Sequence, residues 1–195
     1  MSILIINSAE PEERTYVDPI VYAIGKMERE SEASEHLPEV REWREFSGTL
    51  EIDHYSAVII SASPMGNNAN FQERVKSFGW LRTAQMPVLG ICAGHQFIGN
   101  IFGSRLIRDA EAEEGITPIR IQTWDPLFTG FNDEIHVLQQ HLDAISLPDN
   151  FILLARSDKC RVQAMRHAER PIYSVQWHAE ISTPGLIRNL LEMCT

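Results

Sequence analysis

A cysteine flanked by two glycines stands out in Pro87-Val88-Leu89-Gly90-Ile91-Cys92-Ala93-Gly94-His95-Gln96. An apolar run leads into it and a helical pattern follows, so Cys92 falls at the corner between a buried strand and a helix. This is the thiol counterpart of the G-x-S-x-G nucleophile elbow. The glycines have a physical reason. A sharp strand-to-helix turn strains the backbone of the nucleophile, and only small neighbours avoid clashing around it. The corner also sets the sulfur at the start of a helix, where free N–H groups and the helix dipole favour a thiolate, the nucleophilic form. A lone cysteine is most often a small buried hydrophobe. The strand, glycines and helix around Cys92 reverse that expectation.

A thiolate that attacks an amide needs a base that also protonates the leaving amine. His178, in Ile172-Tyr173-Ser174-Val175-Gln176-Trp177-His178-Ala179-Glu180, is the candidate. It follows a strand-like run. If that strand lies beside the Cys92 strand in a parallel sheet, both residues emerge at the same C-terminal edge, where open α/β sheets hold their ligands. Glu180, two residues on, can accept a hydrogen bond from the second imidazole nitrogen and fix its tautomer. With seven histidines in the chain, H-x-E alone says little. H-x-E after a late strand, downstream of a cysteine elbow, says much more.

The elements that must position these residues alternate. Short apolar runs at Ile3–Asn7, 57–61 and 88–92 read as strands covered on both faces, and another, longer one ends at 175–177. Helical spacing appears at 16–29, 71–82, 96–102 and 184–193. Such alternation implies one α/β domain over residues 1–195, flavodoxin-like, with an open, mostly parallel sheet and helices on both faces. Between Ser104 and Gln140 the pattern changes. Strand-like 105–108 and 117–122, separated by the acidic turn Glu111-Ala112-Glu113-Glu114-Gly115, read as a small antiparallel insertion. The charge-rich stretch 28–45 reads as a helix end and a solvated loop.

Length and composition narrow the function. The 195 residues suit one domain with a sizeable core, and 44% hydrophobic with 23% charged residues is ordinary for a globular chain. A net charge of −10 would repel phosphate backbones, which argues against nucleic acid. No apolar run is long enough for a membrane span, and the N-terminus lacks the basic start of a signal peptide. Three cysteines make no disulfide framework and suit a reducing cytoplasm. Cys160 and Cys194 lack an elbow, a paired histidine or metal-ligand spacing, so neither a metal nor a cofactor is expected. No phosphate-binding glycine loop occurs, so the chain is not expected to activate a substrate with ATP unaided.

The two chemical segments resemble the class I, or triad, glutamine amidotransferases, whose elbow reads G-x-C-x-G-H-Q and whose base motif reads roughly Q-F-H-P-E. The separation, 178 − 92 = 86 residues, is similar. Gln140-His141-Leu142-Asp143-Ala144-Ile145-Ser146-Leu147-Pro148 resembles the S-H-x-D-x-V-x-x-L-P segment of the GMP synthetase amidotransferase, and Ala155-Arg156-Ser157-Asp158 through Val162-Gln163-Ala164-Met165 continues the likeness. The resemblance spans roughly residues 54–195 and implies a Cys92-His178-Glu180 triad that hydrolyses glutamine. It implies that Gln96 contacts the bound glutamine and that Gln140, Leu142 and Asp143 hold its amino and carboxylate ends. The N–H groups of Ala93 and Ser63 would form the oxyanion hole. The resemblance also implies a partner that consumes the ammonia, an ATP-dependent synthetase. His95, inside the elbow, is expected to anchor the helix rather than react. Three departures stand out: Ser61-Ala62-Ser63-Pro64 where the family has S-G-G-P, Ala179 for proline and Trp177 for phenylalanine. They leave two alternatives, a stand-alone hydrolase of γ-glutamyl or other small amides and a non-catalytic regulatory module.

Overall fold

The computed structural model of the chain describes residues 2–30, 38–46, 52–64 and 70–194. Strand β1 (Ile3–Asn7) is buried along its whole length. Helix α1 (Asp18–Glu30) follows, then the short edge strand β2 (Glu39–Glu42) and β3 (Ala57–Ile60). Helix α2 (Phe71–Ser77) leads to β4 (Val88–Ile91), which runs directly into α3 (Ala93–Ile101). Next come β5 (Leu106–Ile107), β6 (Glu113–Ile121), β7 (Glu134–His141), β8 (Ala144–Ile145), β9 (Phe151–Arg156) and β10 (Ala164–His167). Strand β11 (Ile172–Val175), α4 (Ala179–Ser182) and α5 (Gly185–Glu192) close the described fold.

Nine of these strands form one mixed sheet in the order β2-β1-β3-β4-β11-β10-β9-β6-β7, and β5 pairs with β8 apart from it. The pairs from β2 to β11 are parallel and those from β11 to β7 antiparallel. Alternation along the parallel strands explains their continuous apolar runs. Ile3, Ile5, Ile59, Leu89, Ile91 and Val175 pack with Ile20 and Ile24 of α1 and Leu186 and Leu190 of α5. Leu4, Ile6, Val58, Ile60, Val88 and Ile172 pack with Phe71 and Val75 of α2 and Phe97 and Ile101 of α3. Each face needs its own apolar set because side chains alternate with a period of two.

Several expectations change in detail. The helix expected over 71–82 stops at Ser77, and Gly79–Arg82 continues as a tight 3₁₀ turn; Gly79 is a poor helix former at that point. The strand expected to end at Trp177 ends at Val175. Its partner β4 turns away at Cys92, so Gln176 N–H donates instead to Gln163 C=O (2.8 Å) and His178 N–H to Leu138 C=O (2.9 Å). Glu113, Glu114 and Gly115 lie within β6 rather than in a turn, and β6 pairs with β7 and β9 rather than with β5. The antiparallel part therefore extends through β10, well beyond residue 140. Within the charge-rich stretch, 31–37 lie outside the described residues, but 39–42 form β2. An edge strand tolerates charges because only part of it is covered. Buried Trp43 and Phe46 follow it.

Candidate active site

Strands β4 and β11 are parallel neighbours with Val175 opposite Ile91, so both chains leave the sheet side by side. Cys92 follows β4 in a strained conformation (φ 51°, ψ −100°) and caps α3. Its N–H donates to the Val175 carbonyl (2.9 Å), which ties the elbow to β11. The two glycines are fixed by close approach. A Cβ on Gly90 would sit 2.6 Å from the Gly94 backbone, and one on Gly94 would sit 2.6 Å from the Ile60 carbonyl oxygen. Neither obstacle is a flexible side-chain tip, so backbone must move. Gly94→Ala is accordingly expected to lower stability by about 2–3 kcal/mol, read from the midpoint of chemical denaturation. A midpoint equal to that of the unmodified chain would show that the elbow yields more easily than its contacts imply.

His178 sits between β11 and α4, with Nδ1 2.8 Å from Glu180 Oε1; both side chains are buried. Its Nε2 is buried and makes no hydrogen bond. Burial alone would push the His178 pKa down. The interactions with Cys92 and Glu180 outweigh it and hold the value at about 10, so the imidazolium is favoured at neutral pH. The Tyr16 ring stacks on the imidazole at 5.6 Å between centroids. Burial, Cys92, Glu13 and Glu180 all push the Tyr16 phenol above its usual pKa.

The other expected residues surround this pair to different degrees. Gln96 donates from Nε2 to the Asp143 carbonyl (2.9 Å) and to Gln176 Oε1 (3.3 Å). Gln176 in turn donates to Cys92 Sγ (3.7 Å). The Cys92 thiol approaches the Gln140 carbonyl at 4.0 Å. Asp143 is buried and pairs with Arg108 Nη1 at 2.7 Å. Leu142 is 44% exposed, so from this segment its backbone, rather than its side chain, is the part suited to bind a substrate. Ala93 opens α3, so its N–H has no acceptor within the helix. Ser63 lies three residues beyond β3 at the same sheet edge and makes no hydrogen bond with the triad. The preceding carbonyl, that of Ala62, accepts from the hydroxyls of Ser8 (3.0 Å) and Ser61 (2.9 Å). His95 is fully buried, with Nδ1 2.8 Å from Ser174 Oγ. Burial and the neighbouring His141 push its pKa down to about 3, so it is neutral and fits the anchoring role. Sequence reasoning missed Tyr16 and Gln176. Gln176 stood inside the quoted base motif, but nothing local indicates that its amide reaches the thiol.

Comparison with known proteins agrees with this geometry. The family described as Glutamine amidotransferase class-I matches residues 20–192. The glutamine-hydrolysing subunit of GMP synthase from Pyrococcus abyssi is 35% identical over 145 residues, covering 71% of this chain and 76% of that protein. Its counterpart of the same name from Methanopyrus kandleri is 36% identical over 146 residues, covering 71% and 76%. Among solved structures, a Thermoplasma acidophilum protein described as a GMP synthase subunit superposes with a TM-score of 0.77 at 27% identity, covering 100% of this chain and 94% of that one. A cysteine elbow beside a paired histidine, on this sheet and with these relatives, has one family reading: the chain belongs to the class I glutamine amidotransferases and is an enzyme of that family.

Proposed function

We propose that Cys92, His178 and Glu180 hydrolyse the side-chain amide of glutamine and that the ammonia passes to an ATP-dependent synthetase that makes GMP. The observation that carries the catalytic part is the buried imidazole, bonded to Glu180 on one side and coupled to Cys92 on the other. The thiolate adds to the amide carbon, and the Ala93 and Ser63 N–H groups would receive the oxyanion. The His178 imidazolium gives its proton to the departing nitrogen, which leaves as ammonia while a γ-glutamyl thioester remains. Water then loses a proton to His178 and attacks the thioester. Glutamate departs, and the thiolate and imidazolium are restored. The name shared by the relatives, a glutamine-hydrolysing subunit of GMP synthase, supports the partner.

An amidotransferase that hydrolysed glutamine without a consumer would waste it, so the isolated chain is expected to be slow. The Ala62–Ser63 peptide is a suitable brake. Among the described residues, the non-glycine positions with positive φ are Cys92 and Asp109, so Ser63 has negative φ. Turning that peptide over would break the two hydroxyl contacts to the Ala62 carbonyl, at about 0.5–1.5 kcal/mol each. It would also carry Ser63 toward positive φ, at about 1–2 kcal/mol. A 99:1 bias needs only about 2.7 kcal/mol, so these contacts suffice to hold one orientation until docking reverses the preference.

The test is glutaminase turnover with and without the synthetase, its nucleotide and its acceptor. A rise in kcat of tenfold or more is expected on assembly, and Ser8→Ala, which loses one of the two hydroxyls, is expected to raise the rate of the isolated chain. Equal rates alone and in complex would sink the gating and leave the stand-alone hydrolase as the better reading, to be followed with γ-glutamyl amides.

A further inference from the structure

A second cluster of reactive side chains lies away from Cys92, on the antiparallel half of the sheet. Glu113 opens β6 and His141 ends β7, and the two are directly opposed in the register of that pair. Cys160 follows β9 in a turn closed by Ser157, whose hydroxyl accepts from the Cys160 N–H at 2.8 Å. All three side chains are buried, and a carboxylate oxygen, the imidazole nitrogen and the sulfur lie within 4.8 Å of one another.

The hydrogen bonding around His141 leaves a specific deficit. Its Nδ1 faces the Asp143 carbonyl at 3.2 Å, which accepts only, so Nδ1 carries the proton of a neutral ring. Nε2 then presents a lone pair. It is buried, has no hydrogen-bond partner and faces Glu113 Oε2, another acceptor, at 3.4 Å. Two lone pairs in that position repel unless a cation stands between them. A proton would serve, as would a metal ion, but only a metal ion gives Cys160 a part.

We propose that Glu113, His141 and Cys160 are three ligands of a divalent transition-metal ion, with zinc the best fit. The donor set is one thiolate, one imidazole and one carboxylate, which suits zinc better than calcium or magnesium. Bonds of about 2.0–2.1 Å in a tetrahedron put neighbouring nitrogen and oxygen donors about 3.3 Å apart, close to the observed 3.4 Å. A carboxylate and a thiolate together neutralise the dipositive ion, so the buried site carries no net charge. The outer contacts have the form such sites use. The imidazole donates its other N–H to a backbone carbonyl. Ser157 Oγ and Gln163 Nε2 both donate to Glu113 Oε2 and hold the carboxylate in place. Glu113 also lines a surface pocket with Glu114, Thr117, Pro118, Asp158 and Lys159, which gives an ion a way in and leaves the fourth position to water. The Asp143 carbonyl that would accept from the metal-bound His141 also accepts from Gln96, so the ion would stiffen the turn beside Cys92.

The test uses the full chain with Cys92→Ala and Cys194→Ala, which leaves Cys160 as the sole thiol of the three. After treatment with a chelator, cobalt(II) is titrated as the probe. One equivalent should bind with a thiolate-to-cobalt charge-transfer band. Adding Cys160→Ser should abolish the band, and Glu113→Gln should weaken binding at least tenfold. No band, or full affinity in Glu113→Gln, overturns the proposal. Should the Cys160→Ser chain fail to fold, X-ray absorption of the zinc-loaded double variant decides. One sulfur neighbour among nitrogen and oxygen supports the site, and none overturns it. Because these readouts report binding rather than turnover, they stand or fall apart from the reading of the amidotransferase site.

Discussion

Cys92→Ala is expected to abolish glutaminase activity, with a loss on the order of 10⁶-fold in kcat, the scale seen when a covalent nucleophile is removed from a triad. The same change should abolish labelling by an electrophilic glutamine analogue, read by mass spectrometry of the intact chain. The argument rests on contrast among the three thiols. Cys92 sits at a helix N-terminus, receives a hydrogen bond from Gln176 at its sulfur and is coupled to an imidazolium. Cys160 is fully buried; burial, with Glu111 and Glu113 nearby, pushes its thiol far above the usual range. Cys194 is also pushed up by burial, and its sulfur contacts the Leu190 carbonyl at 3.5 Å. Folded Cys160→Ala and Cys194→Ala chains should therefore keep their turnover and their label. Full activity in Cys92→Ala would remove the nucleophile from the mechanism.

The elbow was legible because its information is local. An apolar strand, two glycines and a helix dictate the corner within ten residues, and the contacts at Gly90 and Gly94 give the reason in distances. The base was legible as a motif, but its meeting with Cys92 depended on one conditional, that β11 lies beside β4 in parallel, which the register satisfies. What escaped depends on long-range pairing. Tyr16 reaches the imidazole from the segment before α1, more than 150 residues away in sequence. The edge strand β2 was hidden because charges on a half-covered strand look like a solvated loop. Glu113, His141 and Cys160 are 28 and 19 residues apart (141 − 113 and 160 − 141). No spacing rule joins them, and only the β6–β7 register and the turn after β9 bring them together.

His178→Ala is expected to lose nearly as much as Cys92→Ala, because one imidazole serves as acid for ammonia and as base for water. Glu180→Gln should lose roughly a hundredfold less, the gap seen between removing a proton-transferring residue and removing the one that orients it. Equal inactivity in the two variants would make orientation too small an account of Glu180. The pH dependence gives a second handle. The folded pKa of His178, about 10, lies above its ordinary value of 6.5. The stabilisation this represents is complete below pH 6.5 and is lost as pH rises through about 10. Activity that needs the imidazolium as proton donor should fall over the same upper range. In Glu180→Gln one of the two interactions that outweigh burial is gone, so the alkaline limb of kcat/KM should move to lower pH, and the alkylation rate of Cys92 should report the same shift in the free enzyme. If that limb stayed in place while the rate fell, Glu180 would act by geometry alone, and the charge on His178 would be held by Cys92.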